Sequence, residues 1–273
     1  TVIPGNAFTN IKSLPVIQIP ESVTEIGDKA FSGSGLTEIE LPDHIHTMGT
    51  QVFQNCTELT RVKLPAGFDN VPEYTFDGCT KLTDVELPDG LTTLGVEAFY
   101  NCRALKSIVI PHSVTSMGIS CFYSCPKLES VTLSQQLTEI PAAAFRYTSV
   151  NNITIPHGVK KIGDGAFADT DLSYIVIPET VTSIGKEAFC NCEQLRKVYV
   201  KGNLPTIGYG AFDMRGYEEG WIEDIVVYTP IPDLTLYYLE KYPAWEQCRD
   251  IKSKVLWDCD KALMPRHTLN VES

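Results

Sequence analysis

The chain has 273 residues, is 43% hydrophobic and 21% charged, and carries a formal net charge of −12. That acidity argues against nucleic acid and anionic membrane surfaces as partners, because phosphate binding needs a basic face. No apolar run approaches the roughly 18–20 residues that cross a bilayer. Residues 1–20 also lack the basic start, apolar middle and cleavage site of a secretion signal.

In chain order, the opening TVIPGNAF starts inside a phrase that recurs further on, so the sequence reads as cut from a longer protein. Ten of the eleven phenylalanines fall at 8, 31, 53, 76, 99, 122, 145, 167, 189 and 212, at intervals of 22 or 23 residues. One unit reads Leu-x-x-Ile-x-Ile-Pro-x-x-Val-Thr-x-Ile-Gly-x-x-Ala-Phe-x-x-Cys. The alternation in Leu36-Thr37-Glu38-Ile39-Glu40-Leu41 predicts a short strand with one buried face, and Pro42 ends it because proline supplies no ladder N–H. Val, Ile, Ala and Phe then follow at spacings of three to four, a tight coil with one apolar side. The recurring glycine (Gly27, Gly49, Gly95, Gly118, Gly163, Gly185, Gly208) suggests a backbone turn that a side chain would hinder. Each unit is too small to bury its own apolar face, and stacking about ten of them buries a continuous core.

The period and the Leu-x-x-Ile-x-Ile phrase are those of leucine-rich repeats. The fuller wording, Ile-Pro-x-x-Val-Thr-x-Ile-Gly-x-x-Ala-Phe, resembles the BspA-like (Treponema-type) leucine-rich repeats of bacterial surface proteins. That resemblance covers residues 1 to about 228. It implies an α/β solenoid: a right-handed leucine-rich-repeat superhelix with a parallel β-sheet on the concave face and short turns or 3-10 helices on the other side. It also implies a secreted or cell-surface protein that binds other proteins, with a partner that does not carry over from the family.

Past Phe212 the rhythm changes. DMRGYEEGW inserts about four residues before a strand-like IEDIVVY at 222–228, and all three tryptophans, Trp221, Trp245 and Trp257, lie beyond it. The organisation predicted is a solenoid over 1–228, an aromatic cap with a helix over 229–257, and a tail or linker over 258–273. Large aromatics suit a cover over the exposed end coil.

Five of the nine cysteines (Cys56, Cys79, Cys102, Cys125, Cys192) sit three residues after the register phenylalanine, and Cys121 takes the alanine slot. Their position reads as a buried thiol ladder of small apolar side chains. Disulfides between neighbouring coils stay open as an alternative, as does a Cys248–Cys259 bridge across the cap. Cys190 occupies a variable slot shared with Gln54, Asp77, Tyr100, Tyr123 and Arg146, and is expected to be outward and reactive.

No Walker loop, dinucleotide fingerprint, zincin helix or nucleophile elbow occurs, so neither an enzyme nor a cofactor is expected. Asp43, His44 and His46 amount to no more than a weak metal cluster in a solvated turn. The strand positions that face out are more informative. They run Val16/Gln18, Glu38/Glu40, Arg61/Lys63, Asp84/Glu86, Ser107/Val109, Ser130/Thr132, Asn152/Thr154, Tyr174/Val176, Lys197/Tyr199 and Asp224/Val226. The first coils alternate in charge and the middle is small and uncharged. The far end gathers tyrosine, valine and lysine, a composition found at binding hot spots. The candidate binding face is Val109, Thr132, Asn152, Thr154, Tyr174, Val176, Lys197 and Tyr199. The expected partner is a protein or glycan ligand, at the cell surface or outside the cell. A structural spacer within a longer surface protein is the alternative.

Overall fold

The computed structural model describes residues 1–203, 205–218, 225–230 and 235–238. The repeats stack in register. Nine successive pairs of phenylalanine rings, from Phe8–Phe31 to Phe189–Phe212, stack with centroids 5.1–5.6 Å apart. The eight from Phe31 to Phe189 are fully buried. Such buried, near-parallel rings form the spine of one continuous core.

Three hydrogen-bonded ladders run along this spine. The front sheet is parallel and takes one short strand per coil: Glu38–Glu40, Arg61–Lys63 and Asp84–Glu86 pair in order. Ser107–Val109 pairs Ser130–Thr132, which a single bridge joins to Asn152. Tyr174–Ile177 pairs Lys197–Val200, and Lys197–Val200 pairs Thr235–Tyr238. A second set of parallel two-residue strands follows the proline turn, for example Thr93–Leu94 with Ser116–Met117. The Val-Thr-x-Ile phrase is too short to announce a strand, yet its polar–apolar step puts one residue out and one in, as at Ser116–Met117. The third ladder passes through the phenylalanines themselves, whose N–H groups donate to the next coil, as Phe76 N to Ala98 O at 2.8 Å and Phe99 N to Cys121 O at 2.9 Å.

This corrects the expected α/β class. Among the described residues there is no helix, α or 3-10, and none long and apolar enough to cross a membrane. The reason is backbone geometry around the spine. The residues two before and two after each of the nine stacked phenylalanines from Phe8 to Phe189 are left-handed, as Glu97 (φ 52°) and Asn101 (φ 58°) are around Phe99. Each interrupts any run of helical dihedrals and turns the coil instead.

The recurring glycine has a different cause from the one expected. A Cβ on Gly118 would lie 2.3 Å from Val96 N in the preceding coil, and no left-handed angle is recorded there. Close approach of one coil to the next excludes the side chain, and the left-handed turns fall on other residues.

The C-terminal expectation also changes. Ile225–Pro230 does not extend the front sheet; it pairs antiparallel with Asp213–Glu218. Val226 therefore leaves the outward column and faces Tyr217 in register, while Thr235–Tyr238 takes the next place in the sheet. The four inserted residues are the physical reason, since they lengthen the excursion enough for a hairpin before the chain returns. Within the expected cap 229–257 the described residues, 229–230 and 235–238, are strand; Asp224, the rest of that cap with its expected helix, the tail 258–273 and the Cys248–Cys259 pair lie outside the described residues.

Candidate ligand-binding face

The front sheet presents alternate strand positions to solvent, and the candidate residues fall there. Val109, Thr132, Asn152, Thr154, Tyr174 and Lys197 are exposed, and Val176 and Tyr199 are half-buried. Strand register sets Tyr174 beside Lys197 and Val176 beside Tyr199, in two columns. The alternation is strict because the residues between, Ile175 and Val198, are fully buried.

The face divides into two halves. In the first, the charges satisfy one another across coils: Arg61 meets Asp84 at 3.2 Å and Glu86 at 2.5 Å, and Lys63 meets Glu40. The Lys63 hydrogen bond and charge hold the Glu40 carboxyl below its ordinary range. These pairs are exposed to solvent and screened by salt, so they add little to stability. From Ser107 onward the columns are uncharged until Lys197. There Tyr174 donates its hydroxyl to Asn152 Oδ1 at 3.2 Å and remains 40% exposed.

The first coil departs from expectation. Val16–Ile19 reads as a strand but forms no ladder pair, and Val16 stands 55% exposed. Pro15 and Pro20 bracket the segment and supply no N–H groups. A groove of about 570 Å³ opens between it and Glu38, Glu40, Arg61 and Lys63.

A family model of the BspA type leucine rich repeat region, itself six copies long, matches the chain over residues 1–129 and 115–226. The chain belongs to the BspA-type leucine-rich repeat family. A leucine-rich repeat protein from Bacteroides ovatus is 26% identical over 87% of this chain, with a TM-score of 0.56. A leucine rich cell surface protein from Faecalibacterium prausnitzii is 29% identical over 70% of it, with a TM-score of 0.54. The chain spans 63% and 62% of those two proteins. Among curated proteins none matches it.

With the BspA-type repeat established, its cysteine slot acquires a reason. All seven described cysteines are buried free thiols. The slot is more than apolar. Cys79 Sγ donates to Phe53 O at 3.1 Å, Cys102 to Phe76 O at 3.2 Å and Cys125 to Phe99 O at 3.1 Å, each reaching back one coil. Those carbonyls already accept a backbone N–H from their own coil, as Phe76 O does from Cys79 N. The thiol fills the second lone pair. Where the slot holds Thr148 or Thr170, the hydroxyl bonds the phenylalanine carbonyl of its own coil, at 2.7 and 2.8 Å.

Cys190 is not the outward, reactive thiol expected. It is fully buried, and burial pushes its pKa up to about 12, with Asp169 adding to the rise. A variable slot need not be an exposed one. Arg146 reaches past the small Ala168 to Asp169 at 3.2 Å, and Asp169 accepts from Asn191 Nδ2 at 2.9 Å. The same turn carries an aromatic cluster that the sequence reading passed over, with Tyr100 stacked on Tyr123 at 5.0 Å and Tyr147 edge-on to Tyr123 at 5.4 Å. Tyrosines at successive positions after the phenylalanine were the available signal. Tyr100 and Tyr123 are half-buried against one another, while Tyr147 carries Arg146 over its ring and stays 42% exposed.

The weak metal cluster does not assemble. Asp43 Oδ1 accepts Ala66 N of the next coil at 2.9 Å, and His44 Nε2 lies 3.3 Å from Pro20 O. Among the described residues no three His, Cys, Asp or Glu groups converge to hold a metal.

Proposed function

We propose that this BspA-type repeat chain is a secreted or cell-surface binding scaffold that holds a protein or glycan ligand on its open sheet, the concave side of the solenoid. The observation that supports this most is the change along one face. The outward columns pass from charges neutralised within the sheet to Tyr174, Val176, Lys197 and Tyr199, which lie together in register. Tyrosine beside a cation on a rigid sheet supplies contact area at low entropic cost. The cell-surface description of the Faecalibacterium relative supports the location.

The test is capture by the immobilised chain from mucosal extracellular extract, in parallel with a Tyr174→Ala/Tyr199→Ala variant. A band retained by the native chain and lost from a variant of unchanged melting temperature supports the reading. Equal retention by both removes this face from the account. A purely structural spacer, the second reading, predicts that neither retains anything.

A further inference from the structure

The outward columns hold three cations among the described residues. Arg61 and Lys63 are neutralised by Asp84, Glu86 and Glu40. Lys197 is exposed, and no described carboxylate pairs with it. Between Ser107 and Tyr199 it is the one charge in those columns, on a chain of net charge −12. Within its column the register partners of Lys197 are Tyr174 on one side and Thr235 on the other, with Asn152 hydrogen-bonded to Tyr174 one coil further back.

The Tyr174 hydroxyl bonds Asn152 Oδ1 at 3.2 Å. Asparagine is the shorter side chain, so the bond requires the tyrosine ring to lean along the column rather than stand away from the sheet. Tyr174 keeps 40% of its surface exposed while holding that bond. Amide, ring face and ammonium therefore succeed one another at the parallel-strand spacing, a row about 10 Å long.

We propose that Asn152, Tyr174 and Lys197 form a subsite for a sugar ring bearing a carboxylate, the terminal acidic sugar of a glycan. Each group meets one part of such a ring. The apolar C–H side of a pyranose packs on the tyrosine face. Asn152, whose Oδ1 is taken, still has Nδ2 to donate to a ring hydroxyl. The Lys197 ammonium receives the carboxylate. An acidic polypeptide would bring several carboxylates to a strongly acidic chain whose described outward columns offer one unpaired cation, whereas one acidic sugar matches that one charge. The proposal rests on the reading of this face as the ligand surface.

The experiment is a saturation-transfer NMR titration of the full chain with 3′-sialyllactose and digalacturonic acid, with lactose and a glutamate-rich peptide as comparisons. At least one carboxylated sugar should bind tenfold or more tightly than lactose, and less so as salt rises. Lys197→Gln should reduce it to the lactose level, and Tyr174→Ala should abolish sugar binding. Lys161→Gln, which breaks the ion pair with Glu139 on the second sheet, should change nothing. Equal binding of charged and neutral sugars, an unaltered Lys197→Gln variant, or preference for the peptide overturns the subsite. If no sugar binds while a captured protein still requires Tyr174 and Tyr199, the subsite fails and the ligand face stands. If neither sugar nor captured ligand depends on these residues, both fail.

Discussion

Two sets of positions in the same strands behave differently. Inward, the front sheet repeats Ile39, Val62, Ile108, Val131, Ile175 and Val198, all buried and all aliphatic. Outward, one residue away, the same coils change from Glu38 and Arg61 through Ser107 and Ser130 to Tyr174 and Lys197. An inward side chain must fit its copies one coil before and after, which enforces repetition. An outward one meets solvent or a partner and is under no such demand. Within one chain the coils thus act as ten readings of one packing problem, and departures from the refrain mark where something other than packing decides.

Breaking the inward set should have the largest effect. Phe99→Ala opens a void between two stacked rings and should cost about 3–5 kcal/mol, read from urea unfolding of the native chain and the variant. Gly118→Ala drives a Cβ into Val96 backbone and should cost about 1–3 kcal/mol although it adds one methyl group. A loss below 0.5 kcal/mol would mean that the coils do not approach as closely as described.

The thiols sharpen the comparison through pH. Burial raises the Cys192 pKa to about 11, whereas the unfolded thiol titrates near its usual value of about 8.5. Above about 8.5 the unfolded chain loses a proton that the folded chain keeps, so stability falls as pH rises, and the fall ends near pH 11. Cys192→Ala should flatten the stability profile between pH 9 and 10 by about 1.4 kcal/mol per pH unit. In the same range, a Cys248→Ser/Cys259→Ser variant should show no thiol reactive toward Ellman's reagent until it unfolds. The smallest effect belongs to the outward charges. Glu40→Gln, which loses the pair with Lys63, should lower the melting temperature by the least of all these changes, and that difference should vanish in molar salt.

The legible part of this fold was whatever recurs. The phenylalanine period, the front strands, the buried cysteine ladder and the outward columns all follow from one phrase said in register. What the sequence hid lies between coils. Gly118 looks like a turn residue until the neighbouring backbone is placed 2.3 Å from its missing Cβ. Thr93–Leu94 and Ser116–Met117 become strands because each has a copy beside it, and two residues alone carry no such signal. Cys190 reads as outward because its slot varies, yet the residue is fully buried, and Arg146 pairs with Asp169 of the next coil instead of leaving that column open. Beyond Phe212 the refrain stops, and with it the basis for placing Val226 in the sheet rather than the hairpin. The tyrosine end of the candidate face was legible because outwardness follows from strand alternation alone. The lean of Tyr174 onto Asn152 was not.

The separation of inward from outward positions is tested most directly by one paired measurement on a fourfold variant, Tyr174→Thr/Val176→Thr/Lys197→Thr/Tyr199→Thr. Threonine keeps strand propensity while removing the aromatic, aliphatic and charged groups together. Melting temperature and ligand retention are read on the same preparation, beside Phe99→Ala. The expected result is a melting temperature lowered far less than by the single phenylalanine change, with ligand retention gone. A fourfold variant that melts lower than Phe99→Ala, or that keeps its ligand, would contradict the account.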